Sequence, residues 1–201
     1  ISSGESLGTK TIKIDKKDDI KKEIENILQQ ANLYAFNLAK TNKSKYRRIL
    51  LVRKDHIEKL ERVLGDNRTW VVSIRSAGNI LRGENYVYAF PEVTLNKSIA
   101  RKGEVISKMD IKTSDLDSES ITNKIKILLS STLAEVKRRG SLSSELKINA
   151  NQINDIAKTL IRKGEGNFEI ISKAMANSYS ADKVAISLEL KSLEKSLENN
   201  N

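Results

Sequence analysis

Residues 47–91 read RRILLVRKDHIEKLERVLGDNRTWVVSIRSAGNILRGENYVYAFP, and their pattern decides the fold. Ile49, Leu50, Leu51 and Val52 form a continuous apolar run too short for a helix, so Arg48–Val52 reads as a strand covered on both faces. Asp55 then offers an N-cap with Glu58 three residues on. Ile57, Leu60 and Leu64 fall at helical spacing, and Gly65 follows as a stop. Trp70, Val71, Val72 and Ile74 are the β-branched and aromatic residues that strands favour. Strand, helix and strand in so few residues predict a right-handed crossover to a parallel strand. Gly78, Asn79, Gly83 and Asn85 supply turn chemistry, and Tyr86–Phe90 then returns antiparallel. Pro91, the only proline, ends that strand or marks an edge.

On the N-terminal side, residues 1–10 read as a flexible Ser/Gly-rich arm, and Thr11–Ile14 alternates as a strand would. Asp15 or Asp18 opens a helix whose stripe is Ile20, Ile24, Ile27, Leu28, Ala31, Tyr34, Ala35 and Leu38. On the C-terminal side, Glu104–Ile111 holds one more candidate strand, and aromatics are then absent until Phe168. That composition shift places a boundary near Asp115. Beyond it the periodicity is helical throughout. Ile121, Ile125, Leu128, Leu129, Leu133 and Val136 form one stripe ending at Gly140, and Ile153, Ile156, Ala157, Leu160 and Ile161 form another ending at Gly164. A short amphipathic piece spans 167–177, and Ile186, Leu190, Leu193 and Leu197 form a coiled-coil-like seam. The expected architecture is α+β: an arm (1–10), a small mixed β-sheet with flanking helices (11–113), and an all-helical C-terminal half (118–201).

The 201 residues carry 36 Lys and Arg against 26 Asp and Glu, a formal net charge of +10. That balance favours polyanionic partners. There is no cysteine, which excludes disulfides, thiolate nucleophiles and Cys-based metal sites. No apolar run approaches the ~20 residues needed to span a bilayer. Residue 1 is Ile rather than Met, which reads as processing, trimming or numbering from within a longer chain.

The densest basic run is Lys40, Lys43, Lys45, Arg47, Arg48, Arg53 and Lys54, with no acid until Asp55. It flanks the strand of the deciding stretch at both ends. It reads as a phosphate-contacting sheet edge with Tyr46 stacking on a base, or as a solvated loop that guards the edge against aggregation. Arg138 and Arg139 close the 118–139 helix, where cations suit the helix dipole, and join the candidate contacts.

A second constellation is Leu142, Leu146, Ile148, Ile153, Leu160 and Gly164, at the offsets of a helix, a tight turn at Asn149–Ala150, and a second helix. Asn151, Gln152, Asn154, Lys158 and Arg162 then face outward, the amides suited to adenine edges and the cations to phosphates. With Phe168–Ile171 as a wing, this segment alone resembles a winged helix; two helices of an ordinary bundle meet the same pattern.

Catalytic machinery is not expected. His56 is the only histidine. Neither Gly78–Gly83 nor Gly164–Gly166 is followed by the Lys-Ser/Thr of a P-loop, and no Gly-x-Ser-x-Gly occurs. Asp115, Asp117 and Glu119 read as acids at a helix start rather than metal ligands. The expectation is therefore an intracellular, cytoplasmic, non-enzymatic nucleic-acid-binding protein without metal or cofactor. The alternative is a coat or scaffold protein forming homo-oligomers through residues 181–198.

Overall fold

A long strand, a long helix, a second helix and two further long strands recur in that order in both halves of the chain; a short strand stands between the helices of the first half and a single bridging residue, Lys147, between those of the second. The computed structural model describes residues 2–14, 19–39, 48–113 and 117–193. The chain divides into two units, Ile1–Asn96 and Lys97–Asn201.

Unit 1 comprises β1 (Ser6–Lys13), α1 (Asp19–Ala39), β2 (Leu50–Val52), α2 (Lys54–Leu64), β3 (Thr69–Ser76) and β4 (Val87–Leu95). Its sheet runs β1-β3-β4-β2, with β3 antiparallel to both neighbours and β2 parallel to β4. The expected crossover is thus corrected. The strand after α2 does not lie beside β2, and the parallel partner of β2 is the later strand β4. Strand alternation puts Val72, Ile74, Val87 and Ala89 on the helix side, where they join Ile24, Ile27, Ala31 and Ala35 of α1 and Leu60 and Leu64 of α2 in one core.

Unit 2 comprises β5 (Ser98–Ala100), β6 (Val105–Lys112), α3 (Ser118–Arg138), α4 (Ala150–Lys163), β7 (Asn167–Ala174), β8 (Ser178–Tyr179) and β9 (Ile186–Ser192). Its main sheet is β6-β7-β9, all antiparallel, and β5 pairs with β8. A parallel bridge from Lys147 to Ala185 stands where β2 meets β4 in unit 1. The all-helical C-terminal half is therefore corrected: the second half is a further α/β unit. The strand face of β9 decides it. Ile186 and Leu188 are buried two residues apart, the strand period. Ile186 and Leu190, four apart, fit both a helix and a strand; these two members of the expected coiled-coil seam lie on β9, Leu193 follows it, and Leu197 lies outside the described residues. The piece at 167–177 is likewise β7, its Ile170 and Ile171 buried.

The repeat extends to single bonds. Gly4 (φ +80) and Gly103 (φ +82) each turn the chain into the first strand in the left-handed region that glycine tolerates. Gly4 N–H donates to Ser76 C=O (2.8 Å), and Gly103 N–H to Ala174 C=O (2.7 Å). The Glu5 carboxylate accepts from Ser2 N–H, and Glu104 from Arg101 N–H. Asn79 Oδ1 accepts from Ser3 N–H, and Asn177 Oδ1 from Lys102 N–H, both at 2.9 Å. Each first strand then carries a register shift, at Ser6/Gly8 and at Val105/Ser107. Arg75 pairs with Glu92, and Lys173 with Glu189.

The helices match in the same way. Ile20, Ile24, Ile27, Ala31 and Ala35 are buried in α1, and Ile121, Ile125, Leu128, Thr132 and Val136 in α3. Leu60 and Leu64 of α2 answer to Ile156 and Leu160 of α4. Asp117 caps α3 by accepting from Ser120 N–H, and Asn149 caps α4 by accepting from Asn151 N–H. The expected N-terminal arm is corrected too: Ser2–Glu5 is the turn just described, and Ser6–Lys13 is β1. The division falls after Asn96 rather than near Asp115.

Candidate nucleic-acid interface

The positioning of the basic run starts from Asn32 on α1. Its Oδ1 accepts from Ile49 N–H (2.8 Å) and Leu50 N–H (2.9 Å), which fixes the start of β2 against the helix. Val87 N–H donates to Ile49 C=O, setting the start of β4 beside it. Arg48, one residue earlier, is exposed and has no ion-pair or hydrogen-bond partner among the described residues. Lys43, Lys45, Tyr46 and Arg47 lie outside the described residues. At the other end of β2, Arg53 grips Asp55 with two bonds, Nε–Oδ1 at 2.9 Å and Nη2–Oδ2 at 3.1 Å. The Arg53 guanidinium holds the Asp55 carboxyl below the usual carboxylate range. Lys54 sits 3.7 Å from Glu58 in an exposed i,i+4 pair. Of the described members of this run, Arg48 is the one with its charge uncommitted.

Arg138 and Arg139 are spent on structure. Arg138 forks onto Glu135 with two bonds at 2.8 Å. Arg139 bonds Glu135 (2.8 Å), Glu104 (2.6 Å) and the carbonyl of Ile99 (3.2 Å). Arg138 and Arg139 together pull the Glu135 carboxyl down to about 2. Glu104 is lowered first by the Arg101 N–H and then by Arg139.

The segment 142–149 contains no helix, so the helix-turn-helix is not formed, and Phe168–Ile171 lies in the central strand of the unit 2 sheet rather than in a wing. The stripe on α4 nonetheless forms. Asn151, Asn154, Lys158 and Arg162 follow one another along the exposed side of the helix, and their side chains have no partner among the described residues. Gln152 does not belong with them. Its amide accepts from Leu188 N–H (3.1 Å) and donates to Leu188 C=O (3.2 Å), closing the edge of β9.

Two residues outside the expected set join Arg48 at its end of unit 1. Tyr86 is 46% exposed and immediately precedes β4; Tyr88 is 67% exposed on β4, on the sheet face opposite Val87 and Ala89. Alternation with buried Val87 and Ala89 is the sequence signal that would have pointed Tyr88 outward. Arg82 is exposed in the preceding loop, which also holds half-buried Glu84. Gly83 N–H anchors that loop to Ala39 C=O at the end of α1 (2.7 Å).

Elsewhere, half-buried His56 lines a groove of about 270 Å³ with Lys59, Leu60, Val63, Phe90, Pro91 and Val93. No group of three or more His, Asp or Glu side chains able to hold a metal ion occurs among the described residues. No helix among the described residues is long and apolar enough to cross a membrane.

The geometry thus gives a tandem α/β repeat in which Lys158 and Arg162 on α4 and Arg48 beside β2 carry uncommitted charges. The chain is 24% identical over 187 residues to the uncharacterized protein alr4393 of Nostoc sp., covering 92% of this chain and 37% of that relative. The chain therefore spans little over a third of the length of the curated relative that it matches. No family model matches, and no solved structure matches.

Proposed function

We propose that the chain is a non-enzymatic nucleic-acid-binding module, acting inside the cell where its ligand is, with phosphate contacts made by free cations on both units. The observation that carries this reading is the α4 stripe: Asn151, Asn154, Lys158 and Arg162 lie exposed on one helix face with no internal partner among the described residues. Cations tied into internal ion pairs, like Arg138 and Arg139, have less to gain from a phosphate. Lys158 and Arg162 give up no internal bond on meeting one, so counterion release contributes in full. Arg48 and Arg82 on unit 1 are exposed and uncommitted in the same sense. A net charge of +10 supplies the long-range attraction.

The test is charge reversal on α4. Lys158→Glu with Arg162→Glu lowers affinity for labelled oligonucleotides and flattens the log–log salt slope by roughly 0.7–0.9 per lost phosphate contact. Arg138→Ala alters stability rather than that slope. Unchanged binding in the α4 double variant would remove α4 from the interface.

A further inference from the structure

We propose that Tyr86 and Tyr88 form a stacking platform for unpaired bases, so that the ligand held at this edge of unit 1 is a single-stranded nucleic acid whose phosphates meet Arg48 and Arg82. The proposal rests on the nucleic-acid reading above and deepens it.

The duplicated scaffold provides an internal control. The parallel bridge that sets Leu51 beside Tyr88 in unit 1 sets Lys147 beside Ala185 in unit 2. The strand register agrees, since Ser76 pairs with Ala89 and Ala174 with Ile186. Tyr88 therefore corresponds to Ala185, and Tyr86 to Lys183, whose ammonium is paired with Glu145 at 2.6 Å. Unit 2 builds the same strand from Ala185 and a salt-bridged lysine. The strand is thus built in unit 2 with a small residue where unit 1 carries the exposed ring of Tyr88.

What Tyr88 offers is an open aromatic face. Tyr88 is two-thirds exposed, on a side of the sheet where neither α1 nor α2 contributes to the core. Residues two apart on a strand share a face and lie roughly 7 Å from each other. Tyr86 immediately precedes β4, two residues before Tyr88, and both are exposed. An aromatic face accepts any base by stacking, without reading its edge, and it does so only where the base is unpaired. The cations needed for the intervening phosphates are present at the same end. Arg48 lies one residue before Ile49, and Tyr86 one residue before Val87; Ile49 and Val87 are joined backbone to backbone. Arg82 comes from the loop tied to the end of α1, with Glu84 the acid in that loop. Duplex DNA or RNA buries its base faces and would use the cations alone.

The experiment is fluorescence anisotropy on the whole chain with three labelled probes of equal length: a single-stranded oligopyrimidine, the same strand made abasic, and a duplex. Tyr88→Ala with Tyr86→Ala is expected to weaken binding of the single strand roughly ten-fold or more, as loss of one to two stacked bases does. The same variant leaves the abasic strand and the duplex unchanged, and Tyr88→Phe, which keeps the ring, binds as the parent does. Unchanged affinity of the double alanine variant for the single strand, with Lys158→Glu and Arg162→Glu still weakening it, would overturn this inference and leave the nucleic-acid reading standing. Failure of the parent chain to bind any of the three probes at low salt would overturn both.

Discussion

Gln152 of α4 clasps the backbone of Leu188 on β9 from both sides, accepting from its N–H and donating to its carbonyl. In unit 1 the corresponding places hold His56 and Pro91. Proline has no N–H, so the edge of β4 presents no donor there and needs no clasp. The two units protect one vulnerable strand edge by different means. Gln152→Ala is expected to cost unit 2 about 1–2 kcal/mol, since two backbone groups lose their partner. Urea denaturation of parent and variant measures it, and a change under about 0.3 kcal/mol would show that water replaces the amide at no cost.

Gly103 and Gly78 separate conformation from space. A Cβ at either would meet nothing within 4 Å, but Gly103 alone of the two has a positive φ. Gly103→Ala should destabilise by about 1–2 kcal/mol through the left-handed backbone alone, whereas Gly78→Ala should be neutral or slightly stabilising. Thermal melts of the two variants give the comparison.

Ser107 and Thr132 form a 2.6 Å hydroxyl pair between β6 and α3 where unit 1 has Gly8 against Ala31. The Thr132 hydroxyl already donates to Leu128 C=O (2.8 Å), so Ser107 is the donor in the pair. A double-mutant cycle with Ser107→Ala and Thr132→Ala should yield a coupling of about 0.5–1.5 kcal/mol. Additivity within error would mean that the pair only fills space.

Glu135 sets an acid limit on unit 2. Its carboxyl is pulled from 4.5 to about 2 by Arg138 and Arg139. A depressed folded-state pKa contributes stability that is present above the unfolded value and is lost as protons bind on the way down. The contribution of Glu135 is therefore complete above pH 4.5 and fades between there and about pH 2. Parent and Glu135→Gln stabilities, measured by denaturant unfolding against pH, should converge across that window. Parallel curves would show that the arginines do not hold this carboxylate in solution.

Much of unit 1 was legible because its elements carry local signals. The Ile49–Val52 run, the α2 spacing and the Trp70–Ile74 cluster each announce their type within a few residues. Pairing order is not local, so the sequence pattern does not reveal that β2 lies beside β4 rather than β3. In unit 2, Ile186 and Leu190, four apart, satisfy both periods, and burial of Leu188 between them marks β9 as a strand; Phe168 and Ile171 stand at helical spacing, but Ile170 beside Ile171 is buried too, as in a strand covered on both faces. The duplication was hidden because the halves share residue character more than identity: Ala31 answers to Thr132, Leu60 to Ile156. The Gly-Glu turns at 4–5 and 103–104 and the Ile-Lys steps at 12–13 and 111–112 are among the few literal matches. At the site, Arg139 looked free because one of its partners, Glu104, is remote in sequence. The partner of Gln152, Leu188, is likewise remote in sequence.

The central claim is a phosphate-neutralising surface, and a salt titration reaches it most directly. Labelled single-stranded and duplex DNA and RNA would be bound to the whole chain and followed by anisotropy from low to moderate salt. Binding is expected at low salt, with the logarithm of affinity falling linearly against the logarithm of salt concentration. A shallower slope is expected for Lys158→Glu with Arg162→Glu. Absence of binding to every probe at low salt would contradict that claim, and the net charge of +10 would then serve only to keep the chain solvated.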